Sequence, residues 1–228
     1  MNTLSQAWDF YRQNTTFVNE AFWGHVRLAA TALCLAAVTG IVLGIACAKI
    51  GRVASFTVTQ IGNLGRTVPT FAVMGIVITL TTIGFWPAVV GLYLLAVPPI
   101  LLNTLTGVRQ VDPAIVEASR GMGLTPLQVL GRVELPIAVP LISAGVRTAA
   151  VEVVATATLA GLVGGGGLGQ VVISGLDTGQ DDVLLAGAIP VALLALAAQL
   201  LFGAVERIAT PRGLRIERGL VIQEGRTT

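Results

Sequence analysis

The sequence predicts an all-α, polytopic membrane helix bundle of about five core spans, six being possible, and three observations carry that class. The 228 residues are 54% hydrophobic and only 11% charged, with a mean hydropathy of +0.82, which lies outside the range of soluble globules. Five segments, 24–48, 56–83, 86–108, 137–163 and 182–205, have the roughly 20 mainly apolar residues that a bilayer crossing needs. One charged, turn-rich island, running from Asp112 to Pro136, separates the third of these from the fourth. Helices rather than open sheet are required, because a backbone in lipid has to satisfy its own hydrogen bonds.

Residues 1–23 hold Asp9, Arg12 and Glu20 among polar neighbours and lack the basic start and apolar centre of a cleaved leader, so they read as an N-terminal extracytoplasmic segment. The first span then serves as the insertion signal. Its Cys34 and Cys47 read as small apolar side chains, with no partner placed for a bridge. Asn63, Gly65, Arg66 and Pro69 interrupt the second span, which is either one long kinked helix or two short ones. Broken helices of this kind often line transport paths.

The glycine-rich run 161–169 reads as a loop outside the membrane. Gly164, Gly166 and Gly169 formally fit the dinucleotide pattern GxGxxG, but a membrane helix precedes them and no strand-turn-helix unit surrounds them. No glycine run ends in the Lys and Ser or Thr of a phosphate-binding loop, so the chain carries no recognisable ATPase. With a net charge of +2 and no basic face, nucleic acid is not an expected partner.

Arginine placement sets the orientation. With five spans, Lys49, Arg52, Arg109, Arg120, Arg132, Arg207, Arg212, Arg215, Arg218 and Arg226 all fall on one side, and the positive-inside rule makes that side the cytoplasm. The N-terminus is then outside, and 206–228 form a basic cytoplasmic tail. Trp23 and Trp86 fall at the outer boundaries, where indole rings favour the headgroup layer.

The island reads as two short helices and a hinge. Asp112 before Pro113 and Thr125 before Pro126 each place a capping oxygen ahead of a proline at the first helical position, and Gln128 completes a capping box with Thr125. The first helix is expected from Pro113 to Met122 with its stop at Gly123, and the second to end near Leu135, ahead of Pro136. Ala114, Ala118 and Gly121 recur at three or four residues and leave one face nearly bare for another body to approach.

Polar groups at membrane depth complete the candidate sites: Arg66 beside Pro69, Asn103 in the third span, and Arg147 with Glu152 in the fourth. Charges in a membrane face a cavity or one another by default, so Glu152 is expected to meet Arg66 or Arg147, while Arg147 alternatively reaches toward the cytoplasmic surface.

The pattern Glu117-Ala118-Ser119, Gly123 and Glu134-Leu135-Pro136 resembles the EAA signature of ABC-importer permeases, with Ser119 a mild departure at its third position. Over most of the chain, Arg66-Thr67-Val68-Pro69-Thr70, Pro99 to Thr104, Leu162 to Gly169 and Leu184 to Pro190 look like permeases of osmoprotectant importers for glycine betaine, carnitine and choline. Methionine-importer permeases share the Arg-x-x-Pro and glycine-rich patterns, and Glu152 stands where relatives usually carry an uncharged residue.

The resemblance implies a type I importer transmembrane domain over 24–205, with 109–136 as its cytoplasmic coupling loop. Glu117, Ala118, Ser119, Gly123, Leu135 and Pro136 would serve ATPase coupling, and Arg66, Pro69, Asn103, Arg147 and Glu152 the translocation path. Its implied partners are a pair of ABC ATPase subunits, a second permease copy or paralogue, an external binding protein and membrane lipid. No cofactor of its own is implied, since ATP would be used by the ATPase. Against this stand a membrane enzyme using Glu152 with His25 or Asp112, for which no motif places a nucleophile and base, and an ATP-independent pore or secondary transporter, which leaves the island unexplained.

Overall fold

The computed structural model describes residues 3–209, side chains excepted at 52–54, 65, 66, 70 and 71. In chain order the helices are α1 (Thr3–Gln13), α2 (Thr15–Lys49), α3 (Arg52–Thr67), α4 (Thr70–Leu80), α5 (Phe85–Arg109), α6 (Pro113–Gly121) and α7 (Pro126–Val129). A π-helical turn (Leu130–Glu134) leads into α8 (Leu135–Thr156), a 3-10 segment (Ala157–Val163) comes next, and α9 (Leu168–Thr178) and α10 (Asp181–Ala209) complete the described chain. The arginines of the tail beyond 209 lie outside the described residues.

Among the described residues, four helical stretches are long and apolar enough to cross a membrane: Thr15–Lys49, Phe85–Arg109, Pro126–Val163 and Asp181–Ala209. The second span expected from composition is divided between α3 and α4. Val68 is extended and Pro69 caps α4, so the second span is two short helices rather than one kinked one, as the steric restriction on the residue before proline dictates. The two halves succeed one another along α5: Gly62 abuts Leu102 near one end, and Met74 abuts Gly91 nearer the other.

The first span starts earlier than its apolar composition suggests, at Thr15 rather than Gly24. Nothing between them breaks a helix, and propagation needs only one further bond per residue. At 35 residues α2 is about 50 Å long, more than the hydrocarbon thickness. The segment ahead of it is helical too. In α1, Ala7 is buried while Trp8 and Tyr11 stack at 5.7 Å between centroids.

Small residues bring the long helices together. Leu28, Ala29, Ala32 and Ala36 of α2 meet Ala88, Val89, Leu92, Ala96 and Ile100 of α5, and Ala149, Val153 and Ala157 close the cluster from α8 and the 3-10 segment. Gly40 abuts Ile100 and Gly44 abuts Thr104, so α2 and α5 run parallel. Gly145 abuts Asn103 and Gly107 abuts Ala138, so α8 runs against α5. Around the bundle, Leu35, Val38 and Val42 on α2 and Leu193, Leu196 and Leu200 on α10 project outward, at the three- and four-residue spacing of one helical face.

The glycine run is partly packed into this core: Val163, Gly167, Leu168 and Gly169 are buried, while Leu162 and Gly164 are exposed. The 3-10 segment frees the carbonyl of Val154, which His25 takes up through Nε2 at 3.0 Å while buried completely. Gly164 (φ +70), Gly166 (φ +75) and Gly167 (φ +78) turn the chain through left-handed conformations, and Gly167 lies against His25. Helix α9 has no counterpart among the spans expected from composition, although Leu168, Val171 and Gly175 form the buried i, i+3, i+7 stripe of a helix.

A Cβ at Gly44 would stand 2.6 Å from Thr104 Cβ, whereas at Gly75 it would meet nothing within 4 Å. Gly44→Ala is therefore expected to destabilise the folded chain by about 1–3 kcal/mol. Gly75→Ala should leave it unchanged or slightly more stable, and thermal unfolding of the two variants in detergent checks the contrast.

Candidate functional site

The elbow folds as its caps dictate. Asp112 Oδ1 accepts from the Ala114 amide at 2.8 Å and opens α6 at Pro113. Thr125 and Gln128 form the reciprocal capping box, with Thr125 N donating to Gln128 Oε1 at 2.9 Å and Gln128 N to Thr125 Oγ1 at 3.4 Å. Helix α6 closes at Gly121, with Met122 as its C-cap, and Gly123 takes φ +88, the left-handed hinge that disfavours any side chain.

The second helix does not stop at Leu135. Leu135 N donates to Leu130 O, an i to i−5 bond, and this one widened turn carries the helix past Pro136, whose ring would otherwise press on the carbonyl four residues back. Leu135 and Pro136 are accordingly half-buried in a continuous rod. Their place is in the shaft and not on the elbow's outer face.

What the elbow presents outward is the bare stripe. Ala114, Glu117, Ala118 and Gly121 are exposed, and Ile115, Met122 and Leu127 stand out as large apolar side chains, Leu127 at 80% exposure. Ser119 points the other way: it is buried, and its Oγ donates to Ile115 O at 2.7 Å. The mild departure in the signature is thus on the supporting face.

At its root the elbow is fastened to α2. Glu134, the last residue of the π turn, is almost fully buried and pairs with Lys49, the last residue of α2 and the single lysine of the chain. Arg109, the last residue of α5, donates from Nη2 to Ile50 O at 3.0 Å and from Nε to Ala48 O at 3.5 Å. Ser55 adds a hydroxyl bond to Cys47 O at 2.8 Å. The Lys49 and Arg109 contacts join positions 59 to 85 residues apart in the sequence, which no local pattern links.

Of the membrane-depth polar groups, Arg147 and Asn103 have separate partners. Arg147 Nη1 pairs with Glu206 Oε2 of α10 at 3.0 Å, a partner that no sequence pattern pointed to, and the guanidinium lies over Gly203. Asn103 donates to Pro99 O within its own helix at 2.7 Å, where Pro98 and Pro99 weaken the ladder. Pro69 is exposed at the break between α3 and α4. Glu152 is half-buried, and the side chain of Arg66 lies outside the described residues.

Nor do the residues of the enzyme alternative converge. His25 is engaged with Val154 O and Asp112 with the Ala114 amide. No group of three or more His, Cys, Asp or Glu able to hold a metal occurs among the described residues.

A broken span inside a helical bundle, with a capped and exposed elbow at one end, is the architecture of a membrane permease. Residues 40–211 match the family model described as binding-protein-dependent transport system inner membrane component, and the chain belongs to that family. It is 39% identical over 212 residues to the carnitine transport permease protein OpuCD of Listeria monocytogenes, covering 92% of this chain and 95% of that one. It is 34% identical to the glycine betaine/carnitine/choline transport system permease protein OpuCD of Bacillus subtilis, over 100% of this chain and 99% of the other. Among solved structures, an inward-facing MetNI methionine ABC transporter superposes with a TM-score of 0.75 at 24% identity, covering 86% of this chain and 98% of its own, which establishes the shared type I importer fold. The chain is thus a multi-pass membrane transport component of an ABC importer, and ATP hydrolysis belongs to a separate subunit.

Each cap of the elbow holds one otherwise unpaired amide, so Asp112→Ala and Thr125→Ala should each weaken their helix start by about 1 kcal/mol. Hydrogen exchange is expected to quicken at the amides of 113–129 while those of α2 and α5 keep their protection.

Proposed function

We propose that this chain is the permease subunit of an ATP-driven importer for quaternary-ammonium compatible solutes such as glycine betaine, carnitine, choline and proline betaine. Near-full-length relatedness to permeases named for carnitine, choline and glycine betaine is the observation that carries the substrate class. The structural likeness to a methionine importer, at 24% identity, speaks for the fold, and an amino-acid substrate is the less supported reading.

In this reading two permeases, either two copies or a pair of paralogues, meet two ATPase subunits on the cytoplasmic side and an external binding protein on the other. The exposed stripe of Ala114, Ala118 and Gly121, flanked by Glu117, Met122 and Leu127, enters a groove on the ATPase. The C-termini of α2 and α5 and the elbow share one end of the bundle, which faces the cytoplasm by the positive-inside rule. Nucleotide is held by the ATPase and not by this chain.

The solute passes between two arrangements of the helices, selected by the differential contacts that nucleotide makes in each. The break at Pro69 and the polar groups Arg66, Asn103 and Glu152 belong to the path, with Arg147 held at its edge by Glu206.

Two measurements test the proposal. A variant carrying Glu117→Lys and Gly123→Val should lose the ATPase on co-purification, since the hinge conformation costs about 1–2 kcal/mol for a residue with a Cβ. Retention of the ATPase by that variant overturns the docking role. Vesicles holding the complex and its binding protein should accumulate labelled glycine betaine, carnitine or choline only with internal ATP, and accumulation of methionine instead would reassign the substrate.

A further inference from the structure

We infer that the Lys49–Glu134 pair, together with Arg109, is the joint through which movement of the elbow reaches α2, and that these are positioning residues for transport rather than parts of the ATPase docking face. The elbow has two legs. One descends from α5 at Arg109, and the other rises into α8 through the π turn at Glu134. By chain connectivity the elbow is tied only to those two helices. Both legs are fastened a second time to the same point, the end of α2: Arg109 through the carbonyls of Ala48 and Ile50, Glu134 through the ammonium of Lys49.

Three details make this a built joint. The Glu134 side chain keeps only 6% of its exposure while Lys49 keeps 44%, so the carboxylate is committed to the interior and the ammonium reaches in to meet it. A buried carboxylate without its partner is strongly unfavourable, which favours keeping the pair closed. The π turn places Glu134 at the foot of the α8 rod, where the widened turn resets the rotation of the rod about its axis, and such turns occur often at functional positions. Arg109 supplies charge to the carbonyl end of α2, where helix termini leave their acceptors unpaired.

Displacement of the elbow therefore moves the ends of α2, α5 and α8 as one body. With the pair cut, the elbow would still dock, and it would still pull α5 and α8 through the chain, while α2 would follow less closely, through Arg109 and through its own packing on α5. ATP hydrolysis would continue with less solute moved for each ATP consumed.

This inference rests on the elbow being the ATPase docking element, and the experiment separates the two. In the reconstituted complex with ATPase and binding protein, Lys49→Gln and Glu134→Gln should keep the ATPase on co-purification and keep ATP hydrolysis. Solute moved per ATP should fall about fivefold or more, the lower end of ordinary coupling between sites. Lys49→Arg should retain coupling. The exchanged pair, Lys49→Glu with Glu134→Lys, should recover most of what either single reversal loses, which a general packing defect would not allow.

Normal transport per ATP in both Gln variants overturns the joint while leaving docking intact. So does an exchanged pair no better than its worse single reversal when gel filtration shows a homogeneous complex. Loss of the ATPase from the unaltered chain overturns docking, and the joint with it.

Discussion

Close backbone approach is the constraint on which the rest of the molecule depends. Inside a bilayer no water is released when two helices meet, so association rests on van der Waals contact and on how near the axes come. Here the axes come near because Ala32, Ala36, Gly40 and Gly44 line one edge of α2, and because Gly107 and Gly145 serve the crossing of α5 with α8. Exposed leucines and valines elsewhere on the same helices are free to face lipid. On α2 the small residues Ala29, Ala32, Ala36, Gly40 and Gly44 face the bundle, and the bulkier Leu35, Val38 and Val42 face outward.

That packing explains why the few polar side chains in the interior behave as they do. Three of them meet a backbone irregularity or a single charge partner: His25 the carbonyl freed by the 3-10 segment, Asn103 a double proline, Arg147 the carboxylate of Glu206. A buried polar group without a partner costs enough that such arrangements are nearly obligatory.

The parts of this structure legible in the sequence are those governed by local chemistry. Asp112, Thr125, Gln128 and Gly123 announce caps and a hinge through interactions within a few residues, and Pro69 announces a break for the same reason. Span composition placed the apolar cores of the long helices. Where local rules failed, a neighbour or an unusual turn prevailed: helix continues through Pro136 because a π turn makes room, and it begins at Thr15 because polarity does not end a helix. The pairs Lys49 with Glu134 and Arg147 with Glu206 were not legible at all, since a residue's charge carries no information about a partner tens of positions away. The glycine run stands out in the sequence without revealing its place, because its composition fits an exposed loop as well as a crowded backbone crossing.

Mechanical consequences arise from where the chain is continuous and where it is broken. Helix α2 is unbroken for 35 residues and α8 runs without interruption from the elbow, so a displacement at that end is carried along both, with His25 tying them together again at the far end. The composite span is different. The helix is interrupted at Val68 and Pro69, so the angle between α3 and α4 is not fixed by one continuous helical ladder. In the proposed transport cycle, a stiff pair of levers packed in the same bundle as a jointed span would convert a rigid-body tilt into a local change beside the break. Both elements would be needed: an unbroken second span would resist the tilt, and a jointed α2 would absorb it before it reached the proposed path.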